Sequence, residues 1–212
     1  MSRFETHRRA LLGPIHRFAC LAVLVVLGCG VPADGGRLGE LRGTPMHVPI
    51  PKPHLVFTDT EGRRFDLRAQ TEGYLTLVFF GYTHCPDVCP IQMATLGAAF
   101  RELSPELRSR IKVVFVSTDP ERDTPERLRK WLDAYDGTFV GLRGPIEEIN
   151  EALSSMMLPG IAMLPGGSHD EPLIGHPAAV LAFDADGLAR IRYGFGVRRS
   201  DWSHDLPLLA SP

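Results

Sequence analysis

The residues with most chemical potential are concentrated in one decapeptide, Gly81-Tyr82-Thr83-His84-Cys85-Pro86-Asp87-Val88-Cys89-Pro90, where two cysteines stand four positions apart. Such a pair can close a disulfide, exchange electrons with another dithiol, or clamp a soft metal ion through two thiolates. The redox pair of thioredoxin-type proteins is usually Cys-x-x-Cys. The additional residue here loosens the link that tunes redox poise and leaves both sulfurs able to face one ion. Two sulfurs leave a zinc or copper site incomplete, so the metal reading requires a further ligand elsewhere in the chain. The plain alternatives are a structural disulfide or two idle core thiols.

Thiols that do chemistry need a rigid mount, and the flanking sequence supplies one. Residues 74–80 (YLTLVFF) predict a buried strand, while Met93, Leu96, Phe100 and Leu103 recur at helical spacing. The cysteines therefore occupy a strand-to-helix turn. Pro90 has no N–H and disfavours helical geometry in the residue before it, which predicts Cys89 as the N-cap and Pro90 as the first helical residue. A helix start stabilises thiolate over thiol and draws the pKa below its usual value of about 8.5.

The remaining elements follow from pattern. Residues 55–58 and 64–67 flank Asp59-Thr60-Glu61-Gly62 as an N-terminal β-hairpin, and 112–117 (KVVFVS) read as a buried strand. Helices are predicted over 125–135, capped by Thr124, and over 145–157. A second hairpin joins 178–183 to 188–193 across Asp184-Ala185-Asp186-Gly187, and a short last helix starts at Asp201 behind Ser200, limited by Pro207. This alternation predicts an α/β fold with a mixed central β-sheet flanked by helices on both faces.

Before that domain, Arg3, Arg8, Arg9 and Arg17 face a single Glu5, and 18–27 is apolar without a charge. Residues 1–28 are thus expected to be a secretory signal, too short in its apolar run for the roughly 20 residues that span a bilayer. Val26-Leu27-Gly28-Cys29 is similar to the lipobox of bacterial lipoproteins and makes Cys29 a candidate lipidation site; ordinary cleavage and an uncleaved anchor are the alternatives. Residues 29–53 are expected to be a flexible tether, with Gly39, Gly43, Pro45, Pro49, Pro51 and Pro53 among few large apolar groups. Residues 54–212 then form one domain with one core.

Cys20 falls in the signal and Cys29 at its end, so Cys85 and Cys89 are the only possible internal pair of the domain. In an oxidising exported compartment they should drift to a disulfide unless reduced or metallated. Without 1–28 the chain has 19 Lys and Arg against 24 Asp and Glu, net −5, which argues against a nucleic-acid partner.

Three blocks in fixed order, GYTHCPDVCP, VSTDPERDTPE over 116–126, and a histidine before the strand that ends at Asp184-Ala185-Asp186-Gly187, closely resemble the Sco/SenC family of copper-binding, thioredoxin-like proteins. The similarity covers 54–209. It implies a thioredoxin-like fold, membrane tethering on the exported, periplasmic side of the bacterial cytoplasmic membrane, and help in building the binuclear copper centre of cytochrome c oxidase. By position it makes Cys85, Cys89 and His176 the copper ligands. The residue chemistry agrees: two soft sulfurs favour Cu(I), and the imidazole nitrogen also supports Cu(II). Family members commonly place Asp before this histidine and Ser or Thr after it, whereas Gly175 and Pro177 stand here, leaving the imidazole without an acidic neighbour.

Other candidates are read more plainly. His84 shapes the loop or tunes the thiolates rather than binding metal. Met163 and His169 belong to a flexible Pro- and Gly-rich loop, 158–173, rather than to an accessory ligand set. Asp119 and Glu126 are turn and helix-start residues, and with Asp123 they are not expected to form a hard-metal site. Met156 and Met157 fill core.

Three functions fit this reading. The first is a metallochaperone, not an enzyme in the usual sense, that hands copper to cytochrome c oxidase subunit II. The second is a thiol-disulfide reductase that acts on the cysteines of that subunit, or of another periplasmic copper carrier, with Cys85 and Cys89 as its redox-active pair. The third is a redox or copper sensor. His176 separates the first two, since only copper binding needs it.

Overall fold

The sheet is organised around a strand with no polar face. In the computed structural model, which describes residues 38–165 and 172–211, all seven residues of β4 (Leu75–Gly81) are buried, as expected for a strand covered on both sides. Before it come β1 (Thr44–Pro51), the hairpin β2 (Val56–Asp59) and β3 (Arg64–Asp66), and the single turn α1 (Leu67–Gln70). After it come α2 (Val88–Glu102), α3 (Pro105–Ser109), β5 (Ile111–Ser117), α4 (Pro125–Asp133), β6 (Val140–Arg143) and α5 (Ile146–Ser155). The chain ends with β7 (Ala162–Leu164), β8 (Leu173–Gly175), β9 (Val180–Phe183), β10 (Leu188–Tyr193) and α6 (Arg199–Ala210).

Eight strands form one mixed sheet in the order β1-β10-β9-β4-β5-β6-β2-β3, and β7 pairs with β8 in a separate ribbon. β4 runs parallel to β5, from Leu75↔Ile111 to Gly81↔Ser117, and antiparallel to β9, from Thr76↔Phe183 to Phe79↔Val180. The period of two divides the core. Leu77 and Phe79 face a layer built by Met93 and Leu96 of α2, Leu128 and Leu132 of α4, and Trp202 and Leu206 of α6. Val78 and Phe80 face the other layer, with Ile149 and Leu153 of α5 and Phe57 and Phe65 of the N-terminal hairpin. The predicted thioredoxin-like α/β architecture is this one.

Three boundaries differ from the sequence expectation. The tether does not run to residue 53, because Thr44–Pro51 is the edge strand β1, paired antiparallel with β10. Its prolines mark an edge strand, where a missing N–H faces solvent, as much as they mark a linker. The entry to β1 is bolted down: the buried Asp205 carboxylate accepts the N–H groups of Arg42 (2.8 Å) and Gly43 (3.0 Å) and the Tyr193 hydroxyl (2.7 Å). A side chain at Gly43 would meet Ile191 Cγ2 at 2.3 Å.

The last helix, α6, starts before Asp201, and Ser200 lies inside it: the Asp201 carboxylate reaches back to the Arg198 N–H at 3.1 Å and closes the first turn. It also continues through Pro207, because buried Trp202 and Leu206 hold it on the sheet. The sequence pattern does not predict the short strands β6, β7 and β8; β6 joins the main sheet, and the β7-β8 ribbon structures part of the 158–173 loop.

The proposed signal 1–28, Cys29 and His169 lie outside the described residues. Among the described residues, no helix is long and apolar enough to cross a membrane.

Candidate metal centre

The site forms where β4 ends. Gly81 closes the strand, the turn is held by Cys85 N–H donating to Tyr82 O at 3.2 Å, and α2 begins at Val88. Cys89 is therefore not the N-cap. Asp87 occupies that position without a side-chain cap bond, and the Cys85 sulfur sits in its place, 3.5 Å from the Cys89 N–H. Pro90 remains in the first turn, where its missing N–H has no intrahelical partner to lose.

Cys89 is fully buried and Cys85 half-buried, and neither is in a disulfide. His176 arrives from the other side. Because β9 is antiparallel to β4 with Val180 opposite Phe79, the chain four residues before Val180 lies beyond the C-terminal end of β4, over the cysteine turn. His176 Nε2 is 3.3 Å from Cys89 Sγ, and the ligand atoms of Cys85, Cys89 and His176 all lie within 4.8 Å of one another. The ring is held edge-on against Phe79 (centroids 6.0 Å apart) and Tyr82 (5.6 Å). Its Nδ1 is 3.1 Å from the Pro177 carbonyl, which accepts when Nδ1 carries the proton and so leaves the Nε2 lone pair facing the sulfurs. A backbone carbonyl thus orients the imidazole that lacks an acidic neighbour in sequence.

The two thiols are electrostatically unequal. The Cys85 pKa is lowered to about 3, chiefly because Cys89 donates to its sulfur, with further help from the Cys89 and Asp87 N–H groups. Burial and the negative Cys85 sulfur push the Cys89 thiol well above its ordinary range. The metal-free site is a thiolate at Cys85 hydrogen-bonded to a thiol at Cys89. Alkylation of Cys85 in the reduced protein should consequently be nearly independent of pH from about 5 to 8, where the rate for an ordinary thiol climbs with its thiolate fraction. A Cys85 rate that climbs across this window would contradict the thiolate assignment.

The remaining candidates separate. His84 is outside the cysteine cluster; it groups with Asp119 and Asp123, its Nδ1 3.6 Å from Asp123 Oδ1. Asp119 is paired with Arg122, and Thr124 caps α4 by accepting the Arg127 N–H, as the turn-and-cap reading expects. Met156 is buried, but Met157 is not core: it is 63% exposed in a left-handed conformation, φ 54°. Met163 projects from β7 at 68% exposure.

Two positioning residues escaped the sequence reading although both stand in the cysteine motif. Gly81 makes room for Cys89, since a Cβ there would lie 2.5 Å from its sulfur. Tyr82, itself buried, accepts the Ile174 N–H at 3.2 Å and so ties the turn to the strand that leads into His176. The signal for each was its place at the strand end, which only a contact across the fold could interpret.

Fold and site together define a thioredoxin-like protein with two cysteines and one histidine converging at the first strand-to-helix turn after the central strand. The SCO1/SenC family model matches residues 50–205, and the chain belongs to that family. A relative from Stutzerimonas stutzeri is 33% identical over 163 residues, 75% of this chain and 74% of that one. The chain spans about half the length of some mitochondrial relatives, 48% of the human SCO2 homologue at 30% identity over 60% of this chain. Among solved structures, copper-bound ScoI of Bradyrhizobium japonicum is 29% identical with a TM-score of 0.66, covering 76% of this chain and 99% of that one. BsSco, a Sco-family cytochrome c oxidase assembly protein with a disulfide switch, is 22% identical with a TM-score of 0.61, covering 79% and 96%, and supports the fold.

Proposed function

We propose that the protein is a copper metallochaperone that binds the ion through Cys85, Cys89 and His176 and delivers it to subunit II of cytochrome c oxidase. The observation that carries this reading is the convergence of two sulfurs and a pre-oriented imidazole nitrogen within 4.8 Å. That donor set suits a soft, monovalent copper ion and tolerates the divalent one. Family membership and the copper-bound ScoI neighbour support the choice of metal, and the assembly role of the Sco family supports the choice of acceptor. Cys85 is already a thiolate, so binding releases the proton of Cys89.

The second reading is a thiol-disulfide reductase of subunit II or of another periplasmic copper carrier, favoured by the partly accessible Cys85 thiolate beside a protonated Cys89. His176→Ala distinguishes the two. It is expected to abolish tight copper binding, measured by competition with a chromophoric chelator, and to leave disulfide exchange with a small-molecule disulfide largely intact. Normal copper binding and full oxidase assembly by His176→Ala would transfer the role to the dithiol.

The working site is on the exported face of the membrane, with Cys29 as a lipidated N-terminus and the segment ahead of Leu38 as the tether. Mass spectrometry of the mature protein should find diacylglyceryl-modified Cys29; an intact leader or another first residue would remove the lipid anchor from this scheme.

A further inference from the structure

We propose that Asp123 is the positioning residue of this centre: its buried carboxylate clamps Thr83 to the end of β5 and thereby sets the direction from which the chain enters Cys85. This rests on the copper reading above and adds a residue outside the ligand set.

Asp123 is fully buried, no Arg or Lys forms an ion pair with it among the described residues, and the part-exposed imidazole of His84 lies beside it with Nδ1 3.6 Å from Oδ1. It is held by neutral donors: the Thr83 N–H (3.1 Å), the Thr83 hydroxyl (2.6 Å) and the Ser117 hydroxyl (2.7 Å). Burying a carboxylate without an Arg or Lys partner costs several kcal/mol before hydrogen bonds offset it, so packing alone does not explain an Asp at this position. The bonds explain it, because they join separate segments. Ser117 ends β5, Thr83 precedes Cys85 by two residues, and Arg127 of α4 donates to the Thr83 hydroxyl at 2.9 Å, so that Arg127, Thr83 and Asp123 form a directed chain.

The geometry on the other side of the turn completes the clamp. Tyr82 is tied through its hydroxyl to Ile174 in β8, two residues before His176, while Thr83 is tied to Asp123. Adjacent residues are thus pinned to different segments, one to the strand that leads into His176 and one to Asp123 behind the end of β5. Cys85 N–H then closes on Tyr82 O. With both ties made, the Cys85 sulfur has one direction relative to His176. With Asp123 removed, the Thr83 N–H loses its acceptor, its hydroxyl keeps Arg127 and the longer 3.4 Å contact with His84 Nδ1, and the turn is held less firmly.

The test uses the full chain, reduced, in three variants: Asp123→Ala, Asp123→Asn and Thr83→Val. Cu(I) affinity is read by chelator competition, and the sulfur-to-copper charge-transfer band of the Cu(II) form reports ligand geometry. Asp123→Ala should weaken Cu(I) binding by about tenfold to a hundredfold, the usual effect of losing a group that orients a ligand, and shift the band. Asp123→Asn keeps an acceptor for Thr83 and should recover most of the affinity, and Thr83→Val should weaken binding in the same direction as Asp123→Ala. Wild-type affinity and an unmoved band in Asp123→Ala, with only a lower melting temperature, would overturn the proposal. Should Asp123→Ala fail to fold, unchanged affinity in Thr83→Val, a partly exposed position, overturns it equally. Failure of the wild-type chain to take up copper would refute the copper reading instead; the alkylation rate of Cys85 then decides the positioning role, and equal rates in all variants would end it.

Discussion

Cuprous ion added to the reduced protein should raise its melting temperature by roughly 10 °C. A ligand that binds only the native state adds about 4 kcal/mol at a thousandfold excess over Kd, and 1 kcal/mol moves a domain of this size by about 2–4 °C. Cys85→Ser, Cys89→Ser and His176→Ala should each remove most of that rise, because each leaves an incomplete donor set. The apo proteins are expected to differ less. Serine at 89 replaces a buried sulfur with a hydroxyl in the same pocket, and His176 sits at the margin of the core. The rise should also shrink as pH falls: Cys85 is deprotonated down to about pH 3, so the proton that competes with copper is that of Cys89. Differential scanning fluorimetry with and without Cu(I) under anaerobic conditions gives the result directly. A full rise in His176→Ala would assign the ion to the dithiol alone.

Gly81→Ala should damage the centre without touching a ligand. The new methyl would lie 2.5 Å from Cys89 Sγ and 3.1 Å from two ring atoms of Phe115, and both of those side chains are fully buried. Nothing at that point can yield cheaply, so overpacking should cost about 1–3 kcal/mol in chemical denaturation. The sulfur is the softer of the two contacts and should be displaced, weakening Cu(I) binding by at least about tenfold, as expected when ligand orientation is lost. The double variant Gly81→Ala/Cys89→Ala separates the effects. Removing the sulfur leaves space for the added methyl, so stability should recover toward that of Cys89→Ala while binding stays lost. Wild-type copper affinity in Gly81→Ala would show that the glycine serves only the backbone.

The sequence alone determined what depends on neighbours along the chain. The strongly apolar run through 74–80 reads as a buried strand, Gly62 and Gly187 at the two hairpin turns take positive φ, and Thr124-Pro125 had to open a helix. The cysteine pair and its place at a strand-to-helix turn were equally legible, and the order of three motif blocks pointed to His176. The tertiary structure decided what depends on contacts between distant segments. His176 meets Cys89 across 87 residues because β9 is antiparallel to β4 in one particular register. Residues 44–51 became a strand rather than a tether because β10 offered an edge whose pairing no local pattern reveals. The helix opens at Val88 rather than after Cys89, and the Cys85 sulfur, folded back over the turn, accepts the Cys89 N–H that a capping side chain would otherwise take. Asp123, to which the sequence gives no role beyond its place just ahead of a helix start, became a clamp because Thr83, forty positions earlier, folds against it. Backbone preference and hydrophobic period act over a few residues; strand register and buried polar pairing are long-range, and they are what turned a recognisable motif into a site.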